Sequence, residues 1–185
     1  MTEIYGSAAD LISAYENATG EKVTAPVQLD RIADFLEIMV KDDANLEKDD
    51  VIGQICFEND QPVVSINPIQ NNYLPRRRFT LAHEIGHFCL HTDKVKSGFK
   101  DNQKTMSRSE SYWDIKESEA NGFAAQLLMP KSLIIQEANA IISAYRTATG
   151  STGMPTEDFI RQIAYKFSVS SIAMEYRLKN LGIIK

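Results

Sequence analysis

The residues best placed to do chemistry lie in Phe79-Thr80-Leu81-Ala82-His83-Glu84-Ile85-Gly86-His87-Phe88-Cys89-Leu90, which contains His-Glu-x-x-His. Read as a helix, positions four apart project from one face. His83 and His87 can therefore place both imidazoles on a single ion, with Glu84 one residue round towards a bound water. Two imidazoles do not complete a hydrolytic zinc site, which takes a third protein ligand and leaves its fourth position to water. At roughly 100° per residue, Leu81, Ala82, Ile85, Phe88 and Cys89 fall on the side away from the histidines, the pattern of a helix held rigidly against a core. Gly86 lies between the two histidines. It costs about 1 kcal/mol in a helix relative to Ala, which implies that something approaches closely there.

A second stretch, Ile115-Lys116-Glu117-Ser118-Glu119-Ala120-Asn121-Gly122-Phe123-Ala124-Ala125-Gln126-Leu127-Leu128-Met129-Pro130, offers the missing ligand. Ala120, Phe123, Ala124, Leu127 and Leu128 make one apolar face of a helix that Pro130 stops. Two carboxylates compete for the ion. Glu117 aligns with Ala124 and Leu128 on the apolar side, whereas Glu119 points with Gln126 towards solvent. An inward carboxylate needs a partner, and a metal ion is one; capping or snorkelling at a helix start is the other explanation. Asn121, one turn on from Glu117, is placed to hydrogen-bond a ligand from outside the coordination sphere.

The pair of segments "RFTLAHEIGHFCLH" and "KESEANGFAAQLLMP" resembles the ImmA/IrrE family of intracellular metallopeptidases, over about residues 50 to 180. The resemblance implies His83, His87 and Glu117 as metal ligands and Glu84 as general base. It also implies a substrate, a helix-turn-helix repressor cut at a specific site so that transcriptional repression is relieved. The chemistry would be hydrolysis: the cation acidifies water, and Glu84 takes the proton and passes it to the leaving amine. Two nitrogens and one carboxylate suit Zn2+, and the same donors accept Mn2+ or Fe2+.

These segments need a scaffold. The chain has 185 residues, 43% of them hydrophobic, which suits a small α+β protein with a real core. The expected architecture is zincin-like: mostly helical, a small antiparallel sheet beside the histidine helix, and a C-terminal segment resembling a helix-turn-helix. Three parts are expected: an N-terminal helical scaffold (1–48), a metallopeptidase core (49–148) and the C-terminal segment (149–185). No run of about 18 apolar residues and no basic leader appear, so a cytoplasmic protein with no membrane partner is expected. Two cysteines without a spacing pattern, Cys56 and Cys89, fit reduced core residues rather than a disulfide framework.

In chain order, residues 3 to 18 and Gln28 to about Val40 show helical periodicity. Val51 to Phe57 and Val63 to Ile66 are β-rich runs around Glu58-Asn59-Asp60-Gln61-Pro62, the composition of a hairpin. In zincin-type peptidases an edge strand beside the catalytic helix pairs with extended substrate, and this hairpin is expected to supply it. Tyr73, Arg78 and Tyr112 are candidates for oxyanion or substrate contact. The run Arg76-Arg77-Arg78 is unfavourable to the helix dipole and reads as a solvated surface or an acid-binding patch. His91 lies too far from His83 to share an ion and reads as a cation at a helix C-terminus. Residues 92 to 113 lack periodicity and are expected to be a loop, a lid over the cleft.

Lys131 to Tyr145 reads as a helix, and Thr149 to Pro155 as a linker. Two further helices follow, with Ser170 capping the second. Residues 160 to 185 carry Arg161, Lys166, Arg177, Lys179 and Lys185 against Glu175 alone, in a chain of net charge −5. Two uses are open. The segment could present cations to DNA, or it could pack through Ile172, Ala173, Tyr176 and Leu178 and dock a protein substrate; the acidic remainder of the chain favours the second. The rival functions are a DNA-binding regulator and an anti-repressor or toxin that binds its partner without cutting it.

Overall fold

The computed structural model describes residues 5–91, 99–102 and 115–185. Helix α1 (Ala8–Thr19) starts where the Ser7 hydroxyl accepts a hydrogen bond from the Asp10 amide at 3.2 Å, and it stops at left-handed Gly20. Helix α2 spans Leu29–Phe35, shorter than the periodicity predicts. The Ile38 amide reaches back to the Ala33 carbonyl at 2.9 Å while Glu37 takes φ 58°, a left-handed helix end made without glycine. The residues that follow form strand β1 (Met39–Asp42), because pairing with a neighbouring strand overrides a weak local preference.

Strands β2 (Val51–Glu58) and β3 (Gln61–Ile66) form the expected hairpin. Its two turn residues, Asn59 and Asp60, both have positive φ (51° and 64°), the mirror-image turn whose twist matches that of paired strands. The sheet is mixed rather than wholly antiparallel. Its order is β1-β3-β2-β4, with β1 parallel to β3 and β4 (Phe99–Asn102) antiparallel to β2. The hairpin therefore fills the middle of the sheet, and the edges are β1 and β4. The segment from 92 to 113, expected to be a loop, thus contains a strand. The rest of it, with Tyr112 and any lid role, lies outside the described residues.

Helix α3 (Leu74–Leu90) begins with Pro75 in its first turn, where a missing N–H costs nothing. It packs against β2 and β3 on one side and against helix α4 (Ile115–Leu128) on the other, with α2 also touching it. Leu81, Ala82, Ile85, Phe88 and Cys89 are all buried in one hydrophobic cluster that runs from Tyr5 to Leu178. Of the three arginines ahead of the histidines, Arg77 pairs with Asp42 at 3.0 Å and Arg78 donates to the Val27 carbonyl at 2.9 Å.

Helix α5 (Lys131–Thr149) ends at left-handed Gly150. Helices α6 (Thr156–Phe167) and α7 (Ser171–Asn180) are joined by a short turn with Ser168 at φ 52°, and the Ser170 hydroxyl accepts from the Ala173 amide at 3.1 Å as expected. Met174 and Leu178 seat α7 on the core, whereas Ile172 and Tyr176, expected to pack, are exposed. Four of the five cations here have partners within the protein: Lys166 with Glu137 at 3.3 Å, Lys179 with Glu175 at 2.7 Å, Arg161 with Asp158, and Arg177 Nε with the Met129 carbonyl at 3.1 Å. Among the described residues, no helix is long and apolar enough to cross a membrane.

Neither cysteine is in a disulfide, and burial pushes the Cys89 thiol up to about 12 while Cys56 is only partly buried. Thiol titration of the native protein with an aromatic disulfide at pH 8 should therefore label Cys56 and react roughly a thousandfold more slowly at Cys89. Denaturant should release the second equivalent.

Candidate metal centre

The spacing of α3 and α4 decides what their side chains can do. A Cβ built on Gly86 would lie 3.2 Å from the Ala120 carbonyl oxygen, 3.3 Å from Ala120 Cα and 3.3 Å from Phe123 Cβ. The glycine between the histidines thus lets the second helix come against the first, and Ala120 answers with a small side chain. At that separation Glu117, in the first turn of α4, reaches the histidines. His83 Nε2 and His87 Nε2 stand 2.9 Å apart, and the Glu117 carboxylate spans them, Oε2 at 3.3 Å from His83 and Oε1 at 3.3 Å from His87.

One ligand atom from each of the three residues lies within 4.8 Å of the others, and all three residues are buried. Four-coordinate zinc at about 2.0–2.1 Å from each donor sets donors about 3.3 Å apart, so separations of this size suit one cation. The donor set itself points the same way, since two imidazoles and a carboxylate are the hydrolytic pattern. Burial would raise the Glu117 carboxyl, but hydrogen bonds and the charges of His83 and His87 outweigh it and hold the group at about 2. The carboxylate, not the carboxylic acid, is the form that ligates a cation.

Glu84 is fully buried beside this trio, facing β2. A Cβ on Gly53 would meet Thr80 Cγ2 at 2.6 Å and Glu84 Oε1 at 2.8 Å. A glycine inside a strand often marks a close approach, and here the strand backbone gives way to the Glu84 carboxylate. Thr80 is fixed in turn by its hydroxyl, which donates to Asn71 Oδ1 at 2.7 Å, while Asn71 Nδ2 donates to the Ile52 carbonyl at 2.9 Å. Neither Gly53 nor this chain of polar contacts was signalled by the histidine motif. The interruption of a β-rich run by glycine was the available sign.

The remaining expected site residues are elsewhere or differently engaged. Tyr73 is exposed at the start of α3, ten residues before His83 and so about 15 Å away along the axis. Arg78 is spent on Val27, half-buried, its guanidinium lowered by burial with Asp30 opposing. The buried Oδ1 of Asn121, expected to support a ligand, has no hydrogen-bond partner among the described residues. Asn121 lines a cavity of about 850 Å³ with Phe79, Ser118, Met129 and Tyr176, next to Glu117. A second cavity of about 350 Å³ shares Phe79, Met129 and Ala173 with it and adds Tyr73 and Leu128. Phe79, a wall common to both cavities, stacks on His83 with ring centroids 6.2 Å apart. His91 and Glu119, read from sequence as a dipole cation and a solvent-facing acid, are bonded to each other at 3.0 Å, with His91 Nδ1 3.1 Å from His87 Nδ1.

Replacing Gly53 with Ala should destabilise the protein by about 1–3 kcal/mol, because the new methyl overpacks a site where Thr80 cannot retreat. Chemical denaturation of the two proteins measures it, and equal stability would show that the strand can shift at little cost.

Residues 47–179 match the family model Peptidase_M78, described as the IrrE N-terminal-like domain. No curated protein matches the chain. The match covers more than half of the sequence and includes all three donors and Glu84, so the chain belongs to this metallopeptidase family.

Proposed function

We propose that the protein is a zinc-dependent endopeptidase that cleaves one regulatory protein, a helix-turn-helix repressor, and thereby relieves transcriptional repression inside the cell. The observation that carries the enzymatic part is the buried trio His83, His87 and Glu117, with Glu84 buried on the same helix and its carboxylate against Gly53 of β2. The repressor substrate is supported by the family likeness of the two motif segments. A cation held by the trio supplies Lewis acidity, polarising a peptide carbonyl and making water a stronger acid.

The protein's own residues do the rest. Glu84, held between β2 and α3, accepts a proton from water at its carboxylate and returns it to the departing amine. Its position one residue from His83 keeps it beside the reacting centre. Phe79 shields one face of the His83 ring and borders both cavities, so a peptide lying there meets apolar walls and polar groups from Ser118 and Asn121. Among the described residues the sheet edges are β1 and β4 rather than the hairpin, and an extended chain would pair with one of these. The DNA-binding alternative is weakened by the internal pairing of Arg161, Lys166 and Lys179 and by the Arg177 contact with Met129.

A Glu84→Gln variant tests the mechanism. Metal analysis should find one zinc per chain in both proteins, while cleavage of a co-incubated repressor from a neighbouring gene should fall by roughly 100- to 10,000-fold in the variant. Cleavage at the original rate by the variant would remove Glu84 from the reaction. Repressor release from DNA without any cutting would instead favour a binding-only antagonist. Removing the metal with a chelator should abolish cleavage by the unaltered protein, and zinc should restore it.

A further inference from the structure

The two groups left over from the metal centre, His91 and Glu119, are joined to it in series. His87 turns Nε2 towards His83 and Glu117, and its other nitrogen, Nδ1, faces His91 Nδ1 at 3.1 Å. The far nitrogen of His91, Nε2, lies 3.0 Å from Glu119 Oε2. His91 caps the C-terminal end of α3 and is buried, while the Glu119 side chain on α4 is 54% exposed. Glu117 and Glu119 thus both cross from α4 to α3, one directly to the imidazoles and one through a ring behind them.

We propose that Glu119 and His91 are positioning residues that fix the tautomer and rotation of the metal ligand His87. The inference rests on the metal-site reading given above. When His87 gives its Nε2 lone pair to a cation, its proton must sit on Nδ1. That proton can be donated to His91 only if His91 Nδ1 is bare, which places the His91 proton on Nε2, where the Glu119 carboxylate accepts it. One arrangement of protons therefore satisfies every position in the chain, and the carboxylate at its end selects it. Metal-bound imidazoles ordinarily donate their second N–H to a carboxylate or carbonyl, which orients the ring and raises its basicity. Here a second imidazole carries that influence across the end of the helix. The spacing reads directly from sequence, since His91 follows His87 by one turn and Glu119 follows Glu117 by two residues.

The test is zinc affinity, measured on purified full-length protein by competition with a chromophoric chelator, for the unaltered chain, Glu119→Gln, His91→Gln and the double variant. Each single change should weaken zinc binding roughly 10- to 100-fold. The double variant should be no weaker than His91→Gln alone, because Glu119 acts only through that ring. Cobalt-loaded Glu119→Gln should show a shifted visible spectrum, while unfolding of the zinc-free proteins stays unchanged. Affinities within twofold of the unaltered protein, or losses that multiply in the double variant, would overturn the proposal. If His91→Gln does not fold, Glu119→Gln, altered at a half-exposed side chain, decides it by affinity and spectrum. Failure of the unaltered chain to take up zinc or cobalt would overturn the metal-site reading and the relay together, whereas normal uptake with indifferent variants overturns the relay alone.

Discussion

The close approach of α3 and α4 at Gly86 and Ala120 is the constraint on which the rest of the molecule depends. Three donors can face one another only if the two helices meet near their small residues. A methyl added at Gly86 would press on the Ala120 backbone and Phe123 Cβ rather than on a flexible side chain tip. The sheet beneath α3, helix α2 against it and helix α1 against α4 supply none of the three donors. They hold α3 still, so that the separation from α4 is set by atomic contact and not by an average over motion.

That geometry also explains how a carboxylate can be tolerated in a core. An isolated buried anion is strongly unfavourable, and Glu117, flanked by two imidazoles but with its buried Oε2 lacking a hydrogen-bond partner among the described residues, would be completed by a cation. The wall formed by β2 extends the same logic to Glu84, which is admitted only because position 53 carries no side chain. The C-terminal helices serve the centre more remotely. They seat α7 through Met174 and Leu178 and bring Ala173 and Tyr176 to the walls of the cavities beside Phe79.

Much of this was legible in the sequence, and for identifiable reasons. The His83–His87 pair and the inward Glu117 follow from helical periodicity, which is strong in long segments, and Gly86 announced a close neighbour before that neighbour was known. The β2–β3 hairpin followed from β-rich runs flanking turn residues. What escaped notice was decided by tertiary pairing. The short run Met39–Asp42 became a strand because β3 was available to receive it, and Phe99–Asn102 did so because β2 was. The exposure of Ile172 and Tyr176 depends on how far α7 rotates on the core, which a period alone leaves undetermined. The partnership of His91 with Glu119 required the register between two helices far apart in sequence.

Burial of the donors has a kinetic side. His83, Glu84 and His87 are wholly screened from solvent and Glu117 nearly so. With the donors screened in this way, exchange of a bound ion is tied to local opening of the fold around it.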